Sequence, residues 1–145
     1  MIFMQIDKQT LKQILEEMVP FNNFLGLRLE SYSLKPIWIN SKIEIKEEYI
    51  GNIIRKAPHG GLIATIIDAT AGTAAMMSLE DFELIARLST IDMRVDYLDA
   101  AKGGFLLTKS EIIRSGRRII VVSSKVYDEN KTLVSVGTNT FNLAI

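Results

Sequence analysis

The sequence predicts an α+β domain in which one curled antiparallel sheet wraps a single long apolar helix. Three observations lead there. Residues 58–79 run almost without charge and are apolar on every side, so that helix has to be enclosed by the rest of a domain or by a membrane. Residues 87–143 hold four strand-like runs separated by turn signals, with no helical period between them. Two further strand-like runs precede the helix. One apolar helix and one sheet make two layers, and a helix with no polar face forces the sheet to curl around it. The 145 residues suit one domain spanning 1–145, and neither a repeat nor a linker divides them.

Composition narrows the function classes. Lys+Arg and Asp+Glu both number 17, so no net charge draws the chain toward nucleic acid or anionic lipid. Cysteine is absent, which excludes a disulfide framework, a thiol nucleophile and a thiolate metal site. One histidine is too few for a zinc hydrolase, so no metal is expected. Nor does any Gly-rich motif match a dinucleotide or phosphate-binding loop. The run Met1-Ile2-Phe3-Met4-Gln5-Ile6-Asp7 lacks the features of a signal peptide, and a cytoplasmic location is expected. The apolar helix nearly has the length of a membrane span, but Asp68 would then sit at mid-bilayer at a cost of a few kcal/mol. No membrane association is expected.

In chain order, residues 7–19 read as an amphipathic helix with Leu11, Ile14, Leu15 and Met18 on one stripe. Asp7 is its expected N-cap and Pro20 its stop. Residues 21–26 read as a connector and 27–32 as a strand. Pro36 opens a clearer strand, with Ile37, Ile39, Ile43 and Ile45 facing one way and Trp38, Asn40, Lys42, Glu44 and Lys46 the other. Residues 47–58 form a loop containing Gly51-Asn52. After the central helix come runs at 87–97, 105–114, 117–127 and 132–143. In the first of these, Ile91, Met93, Val95 and Tyr97 alternate with Thr90, Asp92, Arg94 and Asp96. Ser115-Gly116 and residues 128–131 supply the later turns.

Two features of the central helix carry chemistry. Asp68 is nearly the only charge between His59 and Leu79. A carboxylate so placed has to be partnered, shifted in its titration or exposed to a water-filled cleft. His59-Gly60-Gly61 starts the helix with bare N–H groups at the positive end of the helix dipole, suited to an oxyanion. Gly60 and Asp68 are eight positions apart, roughly 12 Å along the axis. One chain therefore cannot bring both to one carbonyl. Two copies with antiparallel helices can, and they create two equivalent sites. A homodimer, or a dimer of dimers, is expected if this is a catalytic site. Arg114, Arg117 and Arg118 surround the Ser115-Gly116 turn and are candidates for binding the phosphates of a ligand, although a solvated hairpin end is the first account of any one of them. Met76, Met77 and Leu79 are expected in the core and are candidates for lining an apolar pocket.

His59-Gly60-Gly61, with Asp68 nine positions after the histidine, resembles the hotdog-fold acyl-CoA thioesterases of the PaaI-like group. The resemblance continues through residues 88–98, Arg114-Ser115-Gly116-Arg117-Arg118 and Val136-Gly137-Thr138-Asn139-Thr140-Phe141. Upstream, Val19-Pro20-Phe21-Asn22 and Leu25-Gly26-Leu27 are similar to one proteobacterial branch. It implies a hotdog fold, at least dimeric, acting on acyl-CoA without a cofactor. It implies Asp68 as the base that activates water or as the nucleophile, and the Gly60 N–H of the partner subunit as the oxyanion hole. His59 would help position the thioester oxygen, and Thr90 would orient the attacking water. Thr90 falls on the polar face of its predicted strand, so this role needs that face, or a bulge, to meet the helix. Asn52 stands seven residues before His59, one more than in many relatives, and fills the corresponding role only if its loop bulges. Two competing functions share the fold: a non-catalytic acyl-CoA-binding protein, and a dehydratase acting on hydroxyacyl thioesters.

Overall fold

The structure is a computed structural model that describes residues 6–144. The expectation about a signal peptide rests largely on residues 1–5 and lies outside the described residues. Six strands form one antiparallel sheet: β1 (Arg28–Leu34), β2 (Ile37–Glu44), β5 (Leu88–Tyr97), β6 (Phe105–Ser115), β7 (Ile119–Asp128) and β8 (Leu133–Leu143). Their order is β1-β2-β6-β7-β8-β5, so β1 and β5 are the edges. A two-stranded ribbon, β3 (Ile50–Asn52) with β4 (Ala57–Pro58), sits in the connection that leads to the central helix α3 (Gly60–Met77). This is the expected hotdog arrangement. By length and composition α3 would also cross a membrane, yet more than half of it is buried inside the protein.

The core lies between α3 and the concave face of the sheet. Ile66, Ile67, Ala71, Ala74 and Ala75 from the helix meet Ile39, Ile43, Leu106, Val122 and Val126 from the strands, all without exposed surface or nearly so. Close approach is built in at Gly137 on β8. A Cβ there would fall 2.9 Å from Ile67 Cγ2, too close unless that side chain or the helix shifts. The inward stripe of β2 includes a residue the isoleucine pattern hid. Ser41 is buried between Ile39 and Ile43, and its hydroxyl is 2.7 Å from that of Thr70 on α3. Pairing two buried hydroxyls removes the penalty each would carry alone.

The N-terminal region differs from the sequence expectation. Residues 7–19 do not make one regular helix. A short helix α1 (Lys8–Gln13) passes into a π-helical turn at Ile14–Met18. Asp7 is the N-cap as expected, its Oδ1 accepting from the Thr10 N–H at 2.7 Å. Pro20 does not simply end a helix: it occupies the first turn of a second one, α2 (Pro20–Leu25), where its missing N–H costs nothing. The expected connector is therefore helical up to Gly26, whose φ of +80° gives the left-handed cap that glycine adopts without strain. A second difference concerns residues 117 and 118. They belong to the turn between β6 and β7 rather than to β7. The turn between β7 and β8 is stapled by buried Asp128, which accepts N–H bonds from Asn130, Thr132 and, across the sheet end, Lys102.

Candidate active site

The sequence places Asp68 in a helix apolar all round, but the chain does not bury the carboxylate. Asp68 is half-buried on a stripe of α3 that faces the β5 edge of the sheet. Residues 65, 68, 69, 72, 73 and 76 recur at three- and four-residue spacing along that stripe, and all of them line a cleft of about 440 Å³. Leu88, Thr90 and Met93 of β5 form the opposite wall. Phe141 of β8 contributes to the lining, and Val19, Phe21 and Asn22 contribute from the N-terminal region. The cleft is polar around Asp68, Thr65 and Thr90 and apolar toward Met76, Leu88 and Phe141.

Thr90 reaches Asp68 because β5 is bulged. Thr90 pairs with Phe141 and Asp92 with Thr140, so Ile91 is an extra residue opposite neither. Leu88 and Thr90 face the cleft before the bulge and Met93 faces it after. The plain alternation expected for this strand is thereby corrected. Ile91 does not line the cleft with Met93 and is 57% exposed. The Thr90 hydroxyl donates to Asp68 Oδ1 at 2.9 Å.

A second donor escaped the sequence reading. Asn139 of β8 is fully buried, and its Nδ2 donates to the same Asp68 Oδ1 at 2.8 Å. The available signal was its register. Asn139 shares the inward-facing parity of Gly137 and Phe141, where an amide stands out among positions that face the core. Both hydrogen bonds converge on Oδ1, and Oδ2 has no protein partner among the described residues.

The start of α3 is organised by its own residues. His59 is the N-cap, and its Nδ1 accepts from the Gly61 N–H at 2.8 Å. With Nδ1 accepting, Nε2 is the ring nitrogen left to donate. The side chain is exposed. The Gly60 N–H has no acceptor among the described residues, whereas the next three N–H groups bond back to His59. The Gly60 carbonyl accepts from the Tyr97 hydroxyl at 2.7 Å, tying the helix start to β5. The chain thus presents an open backbone donor at one end of the helix and a held carboxylate two turns further on.

The remaining candidates are not gathered at the cleft. Asn52 is exposed, and its Oδ1 accepts from the N–H groups of Ile54 and Arg55, which caps the turn between β3 and β4. The amide oxygen is occupied there, and Asn52 does not line the cleft. Arg114, Arg117 and Arg118 are exposed at the sheet end where β5 begins, and no ion pair engages them among the described residues. Among the described residues, no group of three or more His, Cys, Asp or Glu side chains is positioned to hold a metal ion.

Comparison with known proteins supplies the context for this geometry. Residues 58–135 match the family profile described as Thioesterase superfamily. The chain is similar to the medium/long-chain acyl-CoA thioesterase YigI of Salmonella typhimurium, at 30% identity over 92% of this chain and 94% of that protein. The YigI protein of Escherichia coli K12 is 29% identical over the same shares. Among solved structures, a Shewanella oneidensis protein related to the thioesterase superfamily superposes with a TM-score of 0.80 at 32% identity, covering 94% of each chain. Zebrafish thioesterase superfamily member 2 does so with a TM-score of 0.79 at 25% identity, covering 97% of this chain and all of that one.

Proposed function

This chain belongs to the thioesterase superfamily, and on that premise we propose that Asp68 drives the hydrolysis of an acyl-CoA to free acid and coenzyme A. The enzyme is an acyl-CoA thioesterase. The observation that carries the residue assignment is the Asp68 carboxylate, held at Oδ1 by Thr90 and Asn139 with Oδ2 free, on the wall of a mostly apolar cleft. A carboxylate aimed in this way serves as general base or as nucleophile. As base, it takes a proton from water while the water oxygen bonds to the thioester carbon. The carbonyl electrons move onto oxygen and return as the C–S bond breaks, and the thiolate of coenzyme A leaves with a proton. As nucleophile, Oδ2 bonds to the same carbon, the C–S bond breaks to release the coenzyme A thiolate, and water then cleaves the anhydride to the free acid and the Asp68 carboxylate.

The oxyanion is assigned to the Gly60 N–H of the partner subunit, with His59 beside it. Eight helical positions separate Gly60 from Asp68, so two copies are needed for one site. The exposed edge strand β5, with Ile91 and Tyr97 on its surface and Leu98 just past its end, supports pairing with a second copy. Arg114, Arg117 and Arg118 are assigned to the coenzyme A phosphates because they are unpaired cations at one sheet end. The apolar stretch of the cleft beyond Asp68 suits a medium or long acyl chain, as named for the YigI relatives. Such a substrate is consistent with a cytoplasmic enzyme.

The test is thiol release from a panel of acyl-CoAs from short to long, with Asp68→Asn and Asp68→Ala run in parallel. Loss of turnover in both variants is expected. Undiminished turnover in both would sink the role of Asp68, and tight binding without turnover in the wild type would favour a binding protein. An enoyl thioester formed without thiol release would indicate a dehydratase. Light scattering on the purified protein reads the dimer directly.

A further inference from the structure

Asn139 is an expensive residue where it stands. It has no exposed surface, and its cross-strand neighbours are Val122 and Met93. Its Nδ2 is satisfied by Asp68, but its Oδ1 is buried with no hydrogen-bond partner. An orphaned buried acceptor costs about 1–3 kcal/mol, and an apolar side chain of similar size would avoid that cost. The amide cannot be turned round to relieve it. Reversal would set its oxygen against the Asp68 carboxylate and leave the NH₂ group without an acceptor, so two groups would suffer instead of one. The orphaned oxygen is therefore the consequence of aiming Nδ2 at Asp68.

We propose that Asn139 is a positioning residue for hydrolysis, fixing the rotation of the Asp68 carboxylate so that Oδ2 faces the cleft. The inference rests on the reading of Asp68 given above. Thr90 alone does not fix the group. Its hydroxyl rotates, it comes from the exposed edge strand, and one bond to one oxygen leaves the carboxylate free to turn. A second donor from the interior strand β8, converging on the same oxygen, defines the carboxylate plane from two sides. An oxygen that must meet a water or a thioester carbon in line needs this restraint, because misorientation at the reacting atom is costly in rate. The fold tolerates an unpaired buried atom at Asn139 and gains an oriented base, the kind of exchange between stability and activity seen at functional sites.

The experiment compares Asn139→Leu and Asn139→Asp with the wild type in steady-state kinetics on an acyl-CoA and in thermal unfolding. Asn139→Leu is expected to lower kcat about tenfold or more while KM stays within about twofold. Its unfolding temperature should equal or exceed that of the wild type, because the orphaned acceptor is gone. Asn139→Asp keeps the shape but replaces the donor with an acceptor, and it should lose kcat as well. Unchanged kcat in Asn139→Leu overturns the proposal. So does a fall in activity that tracks loss of folded protein, since that marks a structural role. A readout independent of turnover is the Asn139 side-chain amide signal in nitrogen–proton NMR, compared between the wild type and Asp68→Ala. A clear shift supports the pairing, and no shift overturns it. If the wild type releases no thiol from any acyl-CoA, the functional reading fails, while the amide signal still decides whether Asn139 holds Asp68.

Discussion

On the sheet side of α3, Ile63, Ile66, Ile67 and Met77 are sealed against the strands. On the other side, Ala64, Thr65, Asp68, Ala69, Gly72 and Thr73 line an open cleft. Asp68 apart, both stripes read as apolar or nearly so. Enclosure separates them. The sheet side carries Ile63, Ile66 and Ile67 and then Ala71, Ala74 and Ala75, all closed off in the core. The cleft side has nothing larger than Thr or Asp until Met76. A helix face of small residues that meets β5 and β8 only across a cleft leaves room for something apolar to lie there. An acyl chain fits that description along the length of the cleft.

Substitutions can break or sharpen this contrast. The largest effect is expected at the one charged position on the cleft face. Asp68→Asn should lower kcat about 10²–10⁴-fold, the range for loss of a general base, with little change in urea unfolding because the side chain is only half-buried. On the opposite face the signs reverse. Ile67→Ala should cost about 2–5 kcal/mol of stability in urea unfolding and leave kcat per folded molecule nearly intact. A large loss of stability in the first variant, or a large loss of turnover in the second, would erase the distinction between the faces.

Gly72 tests the volume argument. A Cβ at this position would sit 3.7 Å from the Phe141 ring, in ordinary contact, so the helix does not need glycine there for packing. Gly72→Ala should therefore be neutral or stabilising by up to about 1 kcal/mol. Gly72→Leu should depress turnover of long acyl-CoAs more than that of short ones, read as the ratio of kcat/KM across chain lengths. Equal losses at every length would argue against an acyl chain running past this position.

The smallest effect lies far from the cleft. The Thr10 N–H and then the Thr10 hydroxyl hold the Asp7 carboxyl below the usual carboxylate range. A lowered folded value means that the charged cap stabilises above the unfolded value of about 3.9 and loses that contribution as pH falls through the folded one. The difference in unfolding temperature between the wild type and Asp7→Asn should be present near neutrality and vanish in acid.

What the sequence revealed, and what it hid, follows from how each feature is encoded. The core helix was legible because 18 residues of one character, opened by His59-Gly60-Gly61, leave no other assignment. The hairpins from β6 to β8 were legible because turn residues punctuate them. Helix α2 was not legible, because six residues show less than two turns of periodicity and Pro20 reads as a stop as readily as a start. Ser41 was hidden in a stripe of isoleucines. Asp68 and the helix start were visible as chemistry. The partners Thr90 and Asn139 depend on a bulge and on strand register, which arise from pairing between distant segments. The capping use of Asn52 depends on the turn it closes, and no spacing rule distinguishes that from a catalytic placement.

The extra residue at Ile91 has a consequence for how β5 can change. It acts as a phase shift in the strand, so the residues before it and those after it are read in different frames. Deleting Ile91 would alter the composition hardly at all and would leave a ten-residue strand only one residue shorter. Yet the frames could no longer both be kept. Either Ser89 would replace Thr90 against Asp68, or Met93 and Val95 would exchange their helix-facing places for Asp92 and Arg94. The hydroxyl beside the carboxylate is thus set by a count of residues as much as by their identity. A single-residue deletion that touches neither Thr90 nor Asp68 either parts them or turns Met93 off the cleft.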